Sequence, residues 1–221
     1  MLKYFFQIIF FIYKVMNFQS VDNYKRNIKM LEMYRKYHDT GGGFPVFESI
    51  LYHEEVINGI GYSMDYEHKT AKVFRNVFGV QEILIPRYII FQGEKYKVIS
   101  FNECTIGFRY FKVVKFAEDS EIQLINRCLF VDTNSLLERI FLSPSIITIG
   151  ESSFSECKHL QQVYIPENSK LQVIQSYAFS LSSIENINLP LSIKELQEGW
   201  CCQTQNLNSV SIHPNNQSYS N

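Results

Sequence analysis

No sign of charge dominates this chain. Its 21 lysines and arginines stand against 22 aspartates and glutamates, a formal net charge of −1. That balance gives no general attraction to nucleic acid or to an acidic surface, so nucleic acid is not expected among its partners. No apolar run reaches the roughly 20 residues that a membrane-spanning helix needs. The longest, Tyr4-Phe5-Phe6-Gln7-Ile8-Ile9-Phe10-Phe11-Ile12-Tyr13, stops at Lys14. No small-x-small cleavage site follows it, because Val15-Met16-Asn17-Phe18-Gln19 has the wrong composition for one. A secretion signal, a membrane-touching or packed segment, and a start foreign to the native chain all stay open for this stretch.

The motifs of chemistry are missing in the same way. The five cysteines contain no C-x-x-C pair. Their odd number, without a recognisable leader, points to a reducing compartment. His53-Glu54-Glu55-Val56-Ile57 begins like a zinc-protease helix, but Ile57 stands where the second histidine belongs. Gly59-Ile60-Gly61 lacks the third glycine of a dinucleotide loop, Met64 holding its place. Cys157 and His159 are two residues apart, with nothing to orient the histidine. The acidic loop Glu118-Asp119-Ser120-Glu121 reads as a solvated face. No catalytic residue, metal site or cofactor is expected, and the chain is not read as an enzyme. Asn216-Gln217-Ser218 is a glycosylation sequon, meaningful only on a secreted chain.

What the chain does have is a period. Leu137, Leu160, Ile184 and Leu207 follow at intervals of 23, 24 and 23 residues. Each is followed in step by an alternating pair: Ile140/Leu142, Val163/Ile165, Ile187/Leu189 and Val210/Ile212. A proline comes next or one residue later, at Pro144, Pro166, Pro190 and Pro214. A second apolar pair follows at Ile146/Ile149, Leu171/Ile174 and Ile193/Leu196. Phe154 and Phe179 lie five residues beyond their pairs, and Cys201 takes that place in the next unit. Looser copies precede these. One has Phe111, Val114, Phe116, Ile122/Ile125 and Phe130. The other has Ile83, Ile85, Pro86, Tyr96/Ile99 and Cys104.

The spacing dictates an architecture. An alternating pair places two side chains on one face of a short strand. Proline ends the strand, since it cannot donate to a ladder. A unit this small cannot bury its own apolar face, so neighbours must stack and share a core. The prediction is an α/β repeat solenoid, with a parallel sheet of short strands on one side and short helical turns around the Phe/Cys positions on the other. Ile165 and Val210 are expected inside.

Ile146-Ile147-Thr148-Ile149-Gly150-Glu151-Ser152-Ser153-Phe154-Ser155-Glu156-Cys157, with Gln175-Ser176-Tyr177-Ala178-Phe179, resembles the BspA-like branch of leucine-rich repeat proteins. The resemblance covers about Gly59 to Asn216 and departs at Trp200-Cys201-Cys202. It implies a leucine-rich repeat solenoid and a surface-antigen-like binding or adhesion scaffold.

Three segments are expected. Residues 1–22 form the apolar N-terminal segment. Residues 23–58 form a helical region and linker: Tyr24, Ile28 and Leu31 recur at helical spacing opposite Lys25, Arg26, Lys29 and Lys36, and Gly41-Gly42-Gly43 breaks the chain. Residues 59–221 form the solenoid, entered by a hairpin cap in which Tyr62, Met64 and Tyr66 alternate, Glu67-His68-Lys69-Thr70 turns, and Ala71 and Val73 alternate back. The last strand, around Val210 and Ile212, has no visible cap, so self-association through that edge is expected.

With the apolar pairs inward, two outward ladders remain. One is Glu82, Val113, Arg139, Gln162, Asn186, Ser209. The other is Leu84, Lys115, Phe141, Tyr164, Asn188, Ser211. The candidate ligand-binding residues on this concave face are Lys115, Arg139, Phe141, Gln162, Tyr164 and Asn188. An aromatic pair flanked by cations is where binding energy concentrates; stacked aromatics also stabilise a ladder with no ligand at all. The primary reading is a non-catalytic protein-binding scaffold, cytoplasmic or at the cell surface, with a protein or a host or extracellular surface ligand as partner. Beside it stand a membrane-displayed antigen or adhesin contacting the membrane through its N-terminus, and a truncated copy of a longer repeat protein without independent function.

Overall fold

The computed structural model describes residues 53–76, 80–102, 111–131 and 135–219, all within one compact unit. The apolar N-terminal segment, the expected N-terminal helix and Cys104 lie outside the described residues. The first strands are β1 (His53–Ile57), β2 (Ile60–Asp65) and β3 (Thr70–Asn76). Asn58 and Gly59, both at positive φ, make the two-residue turn between β1 and β2. The hairpin expected from Tyr62, Met64, Ala71 and Val73 is present, and all four side chains are buried.

β4 (Glu82–Ile85) opens the solenoid, and β5 (Tyr88–Phe91) and β6 (Glu94–Phe101) return as a second hairpin. These complete a five-stranded sheet in the order β1-β2-β3-β6-β5. The second half of the earliest copy is therefore not a repeat. Strand alternation turns Tyr96 and Val98 inward, and a register shift at Ile99 against β3 leaves Ile99 exposed and brings Phe101 inside. Arg87, between β4 and β5, and Lys97 of β6 both pair with Glu121 in the following unit. The Lys97 hydrogen bond first, and the Arg87 charge with it, hold the Glu121 carboxyl below the ordinary carboxylate range.

The remaining strands alternate between two parallel sheets. β7 (Val113–Phe116), β9 (Arg139–Phe141), β11 (Gln162–Tyr164), β13 (Asn186–Leu189) and β15 (Ser209–Ile212) join β4 in a six-stranded sheet. β8 (Leu124–Ile125), β10 (Thr148–Ile149), β12 (Val173–Ile174) and β14 (Glu195–Leu196) form a four-stranded one. Ile83, Val114, Ile140, Val163 and Ile187 point inward from the first, and Ile125, Ile149 and Ile174 from the second. Two expected core positions differ. Ile165 is only half-buried, because the chain turns away at Pro166; full cavity cost belongs instead to Ile140 and Ile187. Val210 is 41% exposed, since β15 has a strand on one side only among the described residues.

The expected helical turns are absent: no helix occurs among the described residues. The reason repeats in register. Ser152 and Glu156, Tyr177 and Leu181, and Gly199 and Gln203 all sit at φ between 52° and 62°. A left-handed residue every fourth position stops a right-handed helix from propagating. The backbone then bonds to the next unit instead of to its own previous turn. Ser152, Phe154 and Glu156 N–H groups donate to the carbonyls of Ser176, Ala178 and Ser180; Tyr177, Phe179 and Leu181 donate to Glu198, Trp200 and Cys202. Inside these turns Phe130, Phe154 and Phe179 form a parallel stack, with centroids 5.0 and 5.1 Å apart. Cys201 holds the register place of Phe179, and the Trp200 ring packs edge-on against Phe179 at 6.4 Å.

A polar column runs beside this core. Ser145 Oγ donates to the Ile122 carbonyl, and Ser192 Oγ to those of Ser169 and Leu171. In the next unit Asn216 takes that place. It is 2% exposed, and its Nδ2 donates to the Leu191 and Ile193 carbonyls at 2.9 and 2.8 Å. Its Oδ1 accepts from the Ser218 and Tyr219 N–H groups, and the Tyr219 hydroxyl accepts from the edge amide of Leu196. The tail thus covers the edge of β14, while β15 keeps an open edge among the described residues. The Asn216 contacts also occupy the sequon. Asn216→Ala should cost on the order of 1–3 kcal/mol by orphaning buried groups, read by chemical denaturation. A purified oligosaccharyltransferase should glycosylate Asn216 in the denatured chain and leave the folded chain unmodified. Equal modification of both would show that the amide is not held.

Candidate functional site

The outward face of the six-stranded sheet carries the two ladders. Glu82, Val113, Arg139, Gln162, Asn186 and Ser209 stand opposite one another strand by strand, as their spacing predicts. Val113 departs from the expectation by being buried. In the second ladder, Leu84, Lys115, Phe141 and Tyr164 are in register. Parallel pairing without stagger sets their side chains side by side, and the rings of Phe141 and Tyr164 stack at 4.2 Å with planes 6° apart. Lys115 Nζ lies 5.5 Å from the Phe141 centroid, on the β7 side, and 3.9 Å from Glu82 Oε2. Tyr164 is 43% exposed, and its hydroxyl donates to Gln162 Oε1 at 2.6 Å.

The structure brings Lys115, Phe141, Tyr164 and Gln162 together, with Arg139 in the adjoining column. Asn188 is not in register with Tyr164 and lies across a break in the ladder. Pairing of β11 with β13 is confined to Gln162 and Asn186, whereas β9 and β11 share three pairs and β13 and β15 four. The loop after β11 accounts for the break. Val163 and Leu171 are eight residues apart, while Ile140 and Ile146, like Ile187 and Ile193, are six apart. The longer excursion draws the chain off the sheet after Tyr164, and Asn188 has no partner on β11 while it keeps Ser211 on β15. A shallow polar depression of about 170 Å³ opens there, lined by Gln161, Gln162, Tyr164, Glu185, Asn186 and Asn188. Gln161 and Glu185 were missed in sequence because they precede their strands; the loop-length difference was the available signal.

The positions weighed for chemistry are held in structural contacts. The Cys157 thiol is buried and donates to the Phe130 carbonyl at 3.1 Å, while His159 Nδ1 donates to the Ser135 carbonyl at 2.9 Å. Burial, and secondarily Cys202, push the Cys201 thiol above its ordinary pKa, so it is a poor nucleophile. Among the described residues, no group of three or more His, Cys, Asp or Glu side chains is arranged to hold a metal ion.

Residues 105–221 match the family model for the BspA type leucine-rich repeat region, in six copies. Among solved structures, a leucine-rich repeat protein from Bacteroides ovatus is similar, at 24% identity over 72% of this chain and 41% of that one, TM-score 0.61. The pneumococcal vaccine antigen PcpA is similar at 22% identity over 76% of this chain and 52% of that one, TM-score 0.56. These two likenesses show the fold, and the chain spans about half or less of either protein. No curated protein sequence matches it.

Proposed function

Because the chain belongs to the BspA-type leucine-rich repeat family, we propose that it is a non-catalytic scaffold that binds a protein partner through the outward face of its six-stranded sheet. The contact residues in this reading are Lys115, Arg139, Phe141, Gln162, Tyr164 and Asn188. The observation that carries it is the Phe141–Tyr164 stack, half open to solvent amid polar neighbours with Lys115 at one end. Rings already fixed by stacking on a rigid sheet lose little freedom when a partner covers them, which is the condition under which aromatic anchors dominate an interface. The edge of β15, with Val210 exposed, is where this reading places self-association.

Display at the cell surface, as an antigen or adhesin, is the second reading. It draws on the fold shared with a pneumococcal vaccine antigen, and fractionation of native cells tests it. For the binding face, a photo-crosslinking residue at Gln162 should trap a discrete partner, and one at Glu195 on the four-stranded sheet should not. With that partner purified, Tyr164→Ala and Phe141→Ala should each weaken binding by on the order of 2 kcal/mol in calorimetry. Unchanged affinity in both variants would move the site off this face.

A further inference from the structure

We infer that the depression between Tyr164 and Asn188 is a carbohydrate subsite that takes one neutral sugar ring of a glycan; this rests on the reading of the outward face as a binding surface and names the ligand chemistry of one part of it. The first support is the open wall. Tyr164 stacks one face on Phe141 of β9, so its other face looks along the sheet toward β13 and borders the depression. The ladder break leaves no side chain paired opposite Tyr164 there.

The second support is which polar atoms are left over. Gln162 Oε1 accepts from the Tyr164 hydroxyl, Asn186 Oδ1 from Ser209 and Asn188 Oδ1 from Ser211. Each of the three carboxamides already accepts one hydrogen bond at its oxygen from within the protein, and each leaves its NH₂ group to donate. Glu185 supplies an acceptor at the same rim and forms no ion pair among the described residues. The site therefore offers an apolar ring face, several donors and one anionic acceptor.

That combination selects its ligand by chemistry. A guanidinium or ammonium group could pair with Glu185 but, carrying only donors, would leave the three amide NH₂ groups without an acceptor on the ligand. A carboxylate, sulfate or phosphate would meet Glu185, and Lys115 lies on the far side of Phe141 beside Glu82. An aliphatic side chain would satisfy the ring and strand the amides. An extended peptide finds no continuous strand edge to join, because β11 is fully paired with β9, β13 with β15, and the two strands still meet at Gln162 and Asn186. A pyranose ring fits every term. Its C–H face covers Tyr164, and its hydroxyls accept from the carboxamides and donate to Glu185, since a hydroxyl does both.

Saturation-transfer NMR of the whole chain with neutral hexose and N-acetylhexosamine oligomers tests this, beside sialylated and sulfated glycans and short peptides. Neutral oligomers should take up saturation chiefly on the C–H protons of one ring, with shifts at the side-chain amides of Gln162, Asn186 and Asn188. Tyr164→Ala and Glu185→Gln should each lower affinity by roughly tenfold or more. Leu84→Ala, on the same sheet face, should leave it unchanged. Preference for acidic glycans or for peptides, or neutral binding that survives Tyr164→Ala with the fold intact, overturns the proposal. If no saccharide binds while crosslinking at Gln162 still traps a protein, the glycan subsite falls and the binding face stands. If neither occurs, both fall.

Discussion

Phe154→Ala should lower the stability of the chain by about 3–5 kcal/mol, the cost of deleting a buried aromatic ring. Phe154 is fully buried and lies between Phe130 and Phe179, parallel to both. Its loss removes two ring contacts and leaves a void that the turns cannot close, because their backbones are bonded to both neighbouring units. Stacked units interact mainly with nearest neighbours, so the damage should be local. The units before and after Phe154 are expected to lose cooperativity, and urea unfolding should split into two steps. Phe154→Leu should restore part of the loss. A single transition displaced by less than about 1 kcal/mol, the ordinary effect of a point substitution, would mean that the ring stack is not the core of the turns.

Gly150→Ala should also be costly, for a different reason. A Cβ at Gly150 would lie 2.5 Å from the Ile125 carbonyl oxygen, 2.8 Å from the Arg127 nitrogen and 2.9 Å from the Asn126 carbonyl carbon. All three are backbone atoms of the preceding unit, and the Gly150 N–H donates to that same Ile125 carbonyl. One methyl group must therefore move one unit against another, an overpacking cost of about 1–3 kcal/mol. By hydrogen-bond register, the equivalent positions are Asn126, Gln175 and Gln197. Glycine is thus a demand of this one junction and not of the repeat. Hydrogen exchange should quicken at Cys128 and Phe130, whose amides cross the same junction to Glu151 and Ser153. A loss of only a few tenths of a kcal/mol, within the range of neutral surface changes, would show the junction relaxing to the spacing of its neighbours.

Most of the repeat face of the solenoid was legible in the residues. Alternation is a local property: when Ile140 points inward, Arg139 and Phe141 must point outward, whatever the rest of the chain does. The 23- and 24-residue intervals then stack like on like, so both outward ladders could be written down strand by strand, and the Phe141–Tyr164 contact with them. The family resemblance rested on the same residues and is met by the six matched copies. Ile99 shows the limit of the method. Its spacing fits the template, yet it belongs to a hairpin, because a short apolar pattern does not say which strand will pair with it.

What the tertiary structure decided is everything fixed by bonds between units. The Phe-bearing turns carry helix-like spacing, but residues such as Ser152 and Tyr177 take left-handed conformations so that their N–H groups can reach the next unit, and that makes a turn ladder in place of a helix. The gap beside Asn188 depends on a loop two residues longer in one unit than in its neighbours, a difference that acts only once the units are stacked. Asn216 reads as a glycosylation sequon and is in fact the buried end of a polar column, because the carbonyls it satisfies lie 23 and 25 residues earlier. The period and the face of each strand follow from interactions within a few residues. Pairing, closure and pocket follow from backbone groups that must find partners a full repeat away.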